Sequence, residues 1–316
     1  MPAMIASPTA LTTDPAVANP ELVPLREAVR AGDWPAVQDQ LAAWVGDART
    51  RAIFTVSQKA PTGFLESVLR ANPADTAAAA MLADRLTEKA WAVRTRKMAR
   101  DVSPEQFKRF HEMLAEAERV TADSVAHDGS DPAVWTVRLM IARGLEMGEA
   151  ETRRRYEQVA ARDPHHLSAQ SQLLQQLCPK WGGSVEAMHE FARQCAAAAP
   201  DGAHNAVLIA EAHLEHALSP SGGGQAYLRR REVVAELQEA LGRTVLHPAF
   251  QRTAGWVGVY HSFALLFGLI GDRKTARPLF EATGNLVSES PWRYFGDPVD
   301  VFQEHRARAL RKWRLW

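Results

Sequence analysis

Hydrophobic residues recur along most of this chain at the three- and four-residue spacing of an α-helix. Two clear runs are residues 74–91, ADTAAAAMLADRLTEKAW, and residues 104–126, PEQFKRFHEMLAEAERVTADSVA. Alternation of β-branched and polar residues over four or more positions, which is the pattern of a half-buried strand, is almost absent. The pattern therefore predicts an all-α protein.

Several helix starts are marked by capping residues. Ser103-Pro104-Glu105-Gln106 places a capping serine before a proline and a glutamine at the third helical position, which is the pattern of a capping box. Asp131-Pro132 and Asp163-Pro164 repeat the combination of a cap and a proline. We expect a helix to begin at each of the three positions.

The punctuating prolines suggest a repeat. Pro132, Pro164 and Pro200 are separated by 32 and 36 residues, which brackets the period of about 34 that helix-turn-helix repeats show. The second helix of several pairs carries a small residue four positions before an aromatic one, so that both lie on one helical face. These pairs are Thr152 and Tyr156, Ala187 and Phe191, and Ala276 and Phe280.

Residues of about 131–201 and 248–284 resemble the tetratricopeptide-like helical repeat proteins, although the first helix of each pair lacks that family's Trp-Leu-Gly-Tyr pattern. The segment Pro179–Ser184, PKWGGS, with Glu186-Ala187-Met188 and Phe191-Ala192 after it, resembles a signature of a bacterial family of unknown function with tetratricopeptide-like architecture. The resemblance implies an irregular α-solenoid of antiparallel helix pairs. It implies no catalytic residue.

We expect one helical-repeat domain over residues 21–316, after a disordered lead-in at residues 1–20. Within the domain, residues 219–224 (SPSGGG) have the composition of a flexible loop. A charged helix is expected over residues 227–241, and a final helix over residues 298–313.

Charge and cysteine content narrow the function. The chain of 316 residues has 37 Lys and Arg against 37 Asp and Glu, so a role dominated by nucleic-acid binding is not favoured. The two cysteines, Cys178 and Cys195, are too few for a disulfide scaffold and fit a cytoplasmic protein. The N-terminus lacks the pattern of a secretion signal.

The most apolar stretch, Trp256–Ile270, is shorter than the roughly 20 residues that cross a bilayer, so no transmembrane helix is expected. A helix that is apolar nearly all round is normally buried in a core. The other interpretation is a hydrophobic pocket or dimer interface with Tyr260 and His261 as its polar groups.

No Walker loop, dinucleotide-binding glycine pattern, paired CxxC or His-Glu-x-x-His motif occurs in the chain. The leading interpretation is therefore a non-enzymatic cytoplasmic protein that binds a protein or peptide on the concave face of its helical array, without a cofactor. The residues expected to bind the partner are Arg138, Arg143, Lys180, Trp181 and Arg193. The four cations would contact acidic groups or a terminal carboxylate, whereas Trp181 either contacts the partner or packs at the end of a helical hairpin.

The alternative interpretation is a helical metalloenzyme, possibly oxidative, with iron or manganese held between adjacent helices. Glu-x-x-His pairs hold such metals in helical bundles, because three-residue spacing places two ligands on nearly the same face. The candidate ligands are Glu186, His189, Glu211, His213 and His216. Their other interpretation is a solvated or groove-facing surface.

Three further features have a functional and a structural interpretation. Cys178 could act as a thiol nucleophile with His165 or His189 as its base, whereas a buried structural thiol is the commoner role of such a cysteine. His165 and His166 are expected to be exposed. Residues 91–100 and 304–316 are basic and amphipathic. We interpret these segments either as solvated helix surfaces or as surfaces that contact acidic partners, nucleic acid or anionic lipid.

Overall fold

The computed structural model of the chain describes residues 9–95 and 101–311, and within these ranges it contains seventeen α-helices and no β-strand. The predicted all-α class is confirmed. The helices are α1 (Pro15–Ala18), α2 (Leu22–Ala31), α3 (Trp34–Leu41), α4 (Gly46–Ser57), α5 (Thr62–Ala71), α6 (Thr76–Arg94), α7 (Pro104–His127), α8 (Pro132–Gly144), α9 (Gly148–Ala160), α10 (Leu167–Gln176), α11 (Val185–Ala198), α12 (Val207–Leu218), α13 (Gly224–Leu228), α14 (Arg231–Arg243), α15 (Trp256–Ile270), α16 (Arg273–Thr283) and α17 (Pro298–Leu310).

Contacts between residues divide the described chain into two compact units. The N-terminal unit comprises Leu22–Leu177 and Trp181–Gly183. The C-terminal unit comprises Cys178–Lys180 and the described parts of Met1–Glu21 and Ser184–Trp316. The single domain expected over residues 21–316, its tetratricopeptide-like repeat and its solenoid arrangement stay predictions.

The N-terminal unit is built around α6 and its neighbours α4, α5, α7 and α8. The first half of α6 is buried nearly all round, because its run of alanines and Met81 lets other helices approach closely. Gly144 at the end of α8 lies against α7. A Cβ atom there would lie 2.4 Å from Leu114 Cδ1, so the close approach of the two helices depends on the glycine.

In the C-terminal unit, α15 forms the core. Eleven of its fifteen residues are buried, among them Trp256, Tyr260 and Phe267, and it packs against α12, α16 and α17. His261 is fully buried in this core. Its Nδ1 atom accepts a hydrogen bond from Trp292 Nε1 at 3.0 Å, and its Nε2 atom lies 3.1 Å from Thr283 Oγ1. The structure therefore supports the interpretation of this helix as a buried element of the core, rather than as the lining of a pocket or a dimer interface.

Several predicted boundaries match the structure and others differ. The capping box at Ser103 is present, with both reciprocal bonds formed, and Asp131 caps α8. At Asp163-Pro164, however, no helix starts, because the Asp163 side chain accepts from the amide of His165 in a turn. Helix α10 begins three residues later, and the His166 ring caps it by accepting from the amide of Ala169.

Two other segments also differ from the prediction. The single charged helix expected over residues 227–241 is two helices, α13 and α14, because the backbone is extended at Arg230. The described residues 9–20 of the predicted disordered lead-in are ordered. Asp14 caps the short helix α1, and the amide of Thr12 donates to the carbonyl of Asn285 at 3.0 Å.

The small and aromatic residues that suggested the repeat lie mainly in the core. Thr152, Ala276, Phe280 and Phe191 are buried, whereas Tyr156 and Ala187 are half-buried. Within the described residues, no helix combines the length and the apolar character required to cross a membrane.

Candidate functional site

Three of the five predicted metal ligands converge in the C-terminal unit, where α11 and α12 pack against each other. Ser184 caps helix α11, because its hydroxyl accepts from the amide of Ala187 at 3.0 Å. Helix α11 carries His189. Helix α12 carries His213 and His216 three residues apart. This spacing places both rings on the side of α12 that faces His189.

The three rings meet around the hydroxyl group of Tyr227 on α13. His189 Nε2 lies 3.1 Å from His216 Nδ1. The Tyr227 hydroxyl oxygen lies 2.6 Å from His213 Nδ1 and 3.3 Å from His189 Nε2. Together with Glu236 on α14, these four residues form what we call the histidine cluster.

Glu236 determines which nitrogen of His213 carries a proton. Because an ionised carboxylate only accepts hydrogen bonds, His213 Nε2 donates to Glu236 Oε2, at 3.0 Å. The other ring nitrogen, Nδ1, is then the acceptor of the hydrogen bond from the Tyr227 hydroxyl. Arg193 on α11 holds the other side of Glu236 through Nε at 2.7 Å and Nη2 at 3.2 Å. The hydrogen bond from His213, followed by that from Arg193, lowers the pKa of Glu236 to about 2.

Burial keeps two of the imidazole rings in the histidine cluster uncharged. Burial, followed by the neighbouring charges of His213 and His216, lowers the pKa of His189 to about 3. Burial also lowers the pKa of His216, which is only half-buried. At neutral pH these two rings are neutral, and neutral imidazole is the form that binds metals.

The histidine cluster is not fully satisfied by the described part of the chain. Within the described residues, His189 Nδ1 is buried and has no hydrogen-bond partner. A buried polar atom in this condition costs about 1–3 kcal/mol of stability. Packing of the core by itself therefore does not account for three adjoining imidazoles at this position.

The two glutamates of the predicted ligand set do not join the ring nitrogens. Glu186 is exposed in the first turn of α11, and its negative charge acts on His216. Glu211 lies on another side of α12, where its charge helps raise the pKa of Tyr294. Among the residues that the structure describes, no group of three or more His, Cys, Asp and Glu side chains is arranged as metal ligands.

Tyr227 and Glu236 are the functional residues that the sequence analysis missed. Tyr227 lies 14 residues beyond His213, and Glu236 lies 23 residues beyond it, on two other helices. No spacing rule connects side chains on separate helices, so no signal in the sequence singled them out. Only the packing of α13 and α14 beside α12 brings them to the histidines.

Two of the predicted partner-binding residues lie in the C-terminal unit, and both are ion-paired within the chain. Lys180 Nζ lies 2.7 Å from Oε2 of the buried Glu215, whose other oxygen accepts from the Tyr294 hydroxyl. Arg193 is the partner of Glu236, as described above.

The other three predicted partner-binding residues lie in the N-terminal unit. Arg138 is only 8% exposed and donates to Glu118 Oε1 at 2.7 Å. Arg143 donates to the Gln172 side chain at 2.8 Å, and its guanidinium lies over the ring of Trp181 at 5.8 Å. Each of the four predicted cations thus has an intramolecular partner, and the buried position of Arg138 does not match a surface contact.

Both cysteines are buried free thiols. Cys178 Sγ lies 3.4 Å from Met188 Sδ. His189, one of the bases considered for this thiol, has its Nε2 atom directed to His216 and Tyr227. The surroundings of Cys178 are those of a packed thiol, which agrees with the structural interpretation.

Thr50, His166 and Asp47 in the N-terminal unit have the order of a catalytic triad. Thr50 Oγ1 lies 2.9 Å from His166 Nε2, and His166 Nδ1 lies 3.3 Å from Asp47 Oδ1. However, His166 Nδ1 accepts from the amide of Ala169, so Nε2 carries the proton and donates to Thr50. This tautomer cannot remove a proton from the hydroxyl. The predicted exposure of His166 is wrong, because its ring caps α10 and is buried.

An open cleft of about 490 Å³ lies in the N-terminal unit. Its lining residues are Gln38, Leu41, Ala42, Trp44, Arg49, Asn72, Ala74, Asp75, Thr76 and Ala77. They belong to α3, the segment that joins α3 to α4, the beginning of α4, the turn that joins α5 to α6, and the first residues of α6.

Two aspartates hold the walls of this cleft. Asp75 caps α6 and accepts from Trp34 Nε1 at 2.7 Å and Gln38 Nε2 at 2.9 Å. Asp131 caps α8 and accepts from Arg49 at 2.8 Å and from Thr76 Oγ1 at 2.8 Å. The walls are therefore fixed by hydrogen bonds that link four helices, α3, α4, α6 and α8.

The basic segments are described in part. Arg94 lies over the rings of Trp91 and Phe107 at 5.6 and 5.8 Å, and Arg306 donates to the carbonyl of Gly284 at 2.8 Å. Arg308 is exposed and pairs with Glu304. The basic residues Arg96, Lys97, Arg100, Lys312 and Arg314 lie outside the described residues.

Comparison with known proteins does not add a family to these observations. No protein-family model matches the chain, and no curated protein matches it.

Proposed function

We propose that this chain is a non-enzymatic interaction protein of the cytoplasm, of tetratricopeptide-like solenoid architecture, which binds a segment of a protein or peptide. The observation that carries the proposal is the open cleft between α3, α4 and the turn before α6 in the N-terminal unit. A cleft bordered by several helices offers side chains of different elements to one extended partner.

The lining of the cleft suits a peptide. Trp44 supplies apolar surface, and tryptophan combines a large contact area with little loss of conformational freedom. Gln38 and Asn72 supply side-chain amides, which can both donate to and accept from the peptide main chain. Arg49, whose side chain is 26% exposed, adds a positive charge.

The internal hydrogen bonds of Asp75 and Asp131 support binding by pre-organisation. Each carboxylate ties a lining side chain to a helix start, so Gln38 and Arg49 already have defined positions. A binding surface that does not have to order on contact loses less entropy when the partner arrives. The expected partner therefore places an apolar side chain against Trp44 and its main-chain amides against Gln38 and Asn72.

The test is the selection of peptides from a displayed library on the full chain, followed by anisotropy titration of the selected peptides. We expect Trp44→Ala and Asn72→Ala each to weaken binding about tenfold or more. Leu246→Ala removes a 63%-exposed apolar side chain of the C-terminal unit and serves as the matched control. Failure to select a peptide, or equal affinity for all three variants, would contradict the proposal.

A further inference from the structure

We propose that the histidine cluster is a binding site for a divalent transition metal of the zinc class, with His189 Nε2, His213 Nδ1 and His216 Nδ1 as its ligands and Glu236 as the carboxylate behind His213. The inference assigns a binding site without assigning a reaction. It is independent of peptide binding in the N-terminal unit.

One pair of the proposed ligand atoms has nearly the separation of a tetrahedral site. Metal–nitrogen bonds of 2.0–2.1 Å place two ligand atoms about 3.3–3.4 Å apart in tetrahedral geometry. His189 Nε2 lies 3.1 Å from His216 Nδ1, close to that value. The third ring is adjacent, because the ring centroids of His189 and His213 lie 4.8 Å apart.

The hydrogen bond between His213 and Tyr227 has to break before a metal can bind to His213 Nδ1. At 2.6 Å it is a hydrogen bond, in which the Tyr227 proton covers the Nδ1 lone pair of His213. In this arrangement the described residues contain no completed set of metal ligands. A rotation of the Tyr227 side chain releases the Nδ1 lone pair for a metal.

The surroundings of His213 are those of a metal ligand. Ligating histidines donate their second ring nitrogen to a carboxylate or carbonyl group, which orients the ring and makes the free nitrogen more basic. His213 Nε2 donates to Glu236 in this way, and Arg193 fixes Glu236 in turn.

The donor atoms select the class of metal. Imidazole nitrogens suit zinc, copper, nickel and iron, whereas manganese and magnesium require oxygen ligands. Because Glu186 and Glu211 lie apart from the ring nitrogens, manganese, which was one of the two metals considered from the sequence, does not match this site. Access is available through His216, which is half-buried while the other two rings are buried.

The test is a titration of the untagged, metal-stripped full chain with Co²⁺, whose visible absorption reports tetrahedral nitrogen ligands, followed by displacement with Zn²⁺. We expect one Zn²⁺ ion per chain with a dissociation constant below about 1 μM, and at least tenfold weaker binding of Mn²⁺. His216→Gln is the mild ligand variant, because the residue is half-buried. Glu236→Gln leaves the three ligands in place and should weaken Zn²⁺ binding by about 10–100-fold.

The matched control is the double variant His111→Gln/His127→Gln, which removes two exposed histidines of α7. Circular dichroism checks that every variant retains its helical content. Loss of binding in His216→Gln and Glu236→Gln, with normal binding in the control, would support the site. No saturable binding by the wild-type chain, or binding that these two variants leave unchanged, would overturn it.

Discussion

Ser57 on α4 donates its hydroxyl hydrogen to the carboxyl group of Asp84 on α6, in the buried part of the N-terminal unit. Burial raises the pKa of Asp84 to about 8, and the neighbouring Glu88 adds to the rise, against the lowering effect of Ser57. The folded chain therefore holds this proton at neutral pH, where an unfolded chain has released it.

The pH dependence of stability should carry the signature of Asp84. Because the folded pKa of about 8 exceeds the ordinary aspartate value of 3.8, the contribution is fully present below pH 3.8 and is lost as pH rises towards 8. We expect Asp84→Asn to remove this loss, which amounts to a few kcal/mol. Urea unfolding at pH 5 and pH 8.5 measures it. The exposed substitution Asp39→Asn is the control, and equal pH slopes in wild type and Asp84→Asn would contradict the assignment.

His261 in the core of the C-terminal unit should produce the opposite slope. Burial lowers the pKa of His261 to about 3, below the ordinary histidine value of 6.5. Between these two pH values the ring is neutral in the folded chain, whereas it takes up a proton in the unfolded chain. Stability is therefore lost as pH falls from 6.5 towards 3, by about 2 kcal/mol between pH 7 and pH 5. His261→Gln should flatten this acid limb, whereas the exposed His127→Gln should keep it. An unchanged limb in His261→Gln would count against a buried neutral ring.

Glu118 on α7 should be critical for the N-terminal unit. It accepts from Arg138 at 2.7 Å and from both terminal nitrogens of Arg155, at 2.8 and 2.7 Å, and the two arginines are buried. Glu118→Gln removes the negative charge that balances these two buried guanidinium groups, and it should lower the unfolding free energy by about 3 kcal/mol. Glu112→Gln, on the same helix, breaks only an exposed pair of 3.5 Å and should cost no more than about 0.5 kcal/mol. Similar losses in both variants, measured by denaturant titration, would refute the expectation.

Gly183 in the PKWGGS segment should not tolerate a side chain. A Cβ atom there would lie 2.1 Å from the carbonyl oxygen of Leu177, and backbone atoms cannot move aside as a flexible side chain can. We expect Gly183→Ala to destabilise the chain by about 1–3 kcal/mol. Gly63 in α5 has no atom within 4 Å of the same position, so Gly63→Ala should be neutral or stabilising by up to about 1 kcal/mol. Thermal unfolding of the two variants compares them directly, and equal midpoints would show that the segment adjusts.

Local rules predicted much of the secondary structure. The capping box at Ser103 and the cap at Asp131 depend on side-chain oxygens that bond to amides two or three residues away, so the sequence contains both partners. Ser184, which caps α11, bonds in the same way to the amide of Ala187, three residues away. The capping rule failed where another nearby group competed for the same hydrogen bonds. At Asp163 the side chain closes a turn with His165, and the His166 ring supplies the cap instead.

The sequence by itself determined that the chain is helical, that helices begin after Ser103 and Asp131, and that His213 and His216 lie on one face of α12, because these features follow from helical periodicity and capping. Tertiary structure decided that His189 meets them, that Tyr227 and Glu236 complete the histidine cluster, and that Glu211 lies elsewhere. It also decided that Arg138 is buried beside Glu118. These relationships join residues 14 to 38 positions apart on different helices. They depend on how the helices pack, and helical periodicity carries no information about which side chain a neighbouring helix brings.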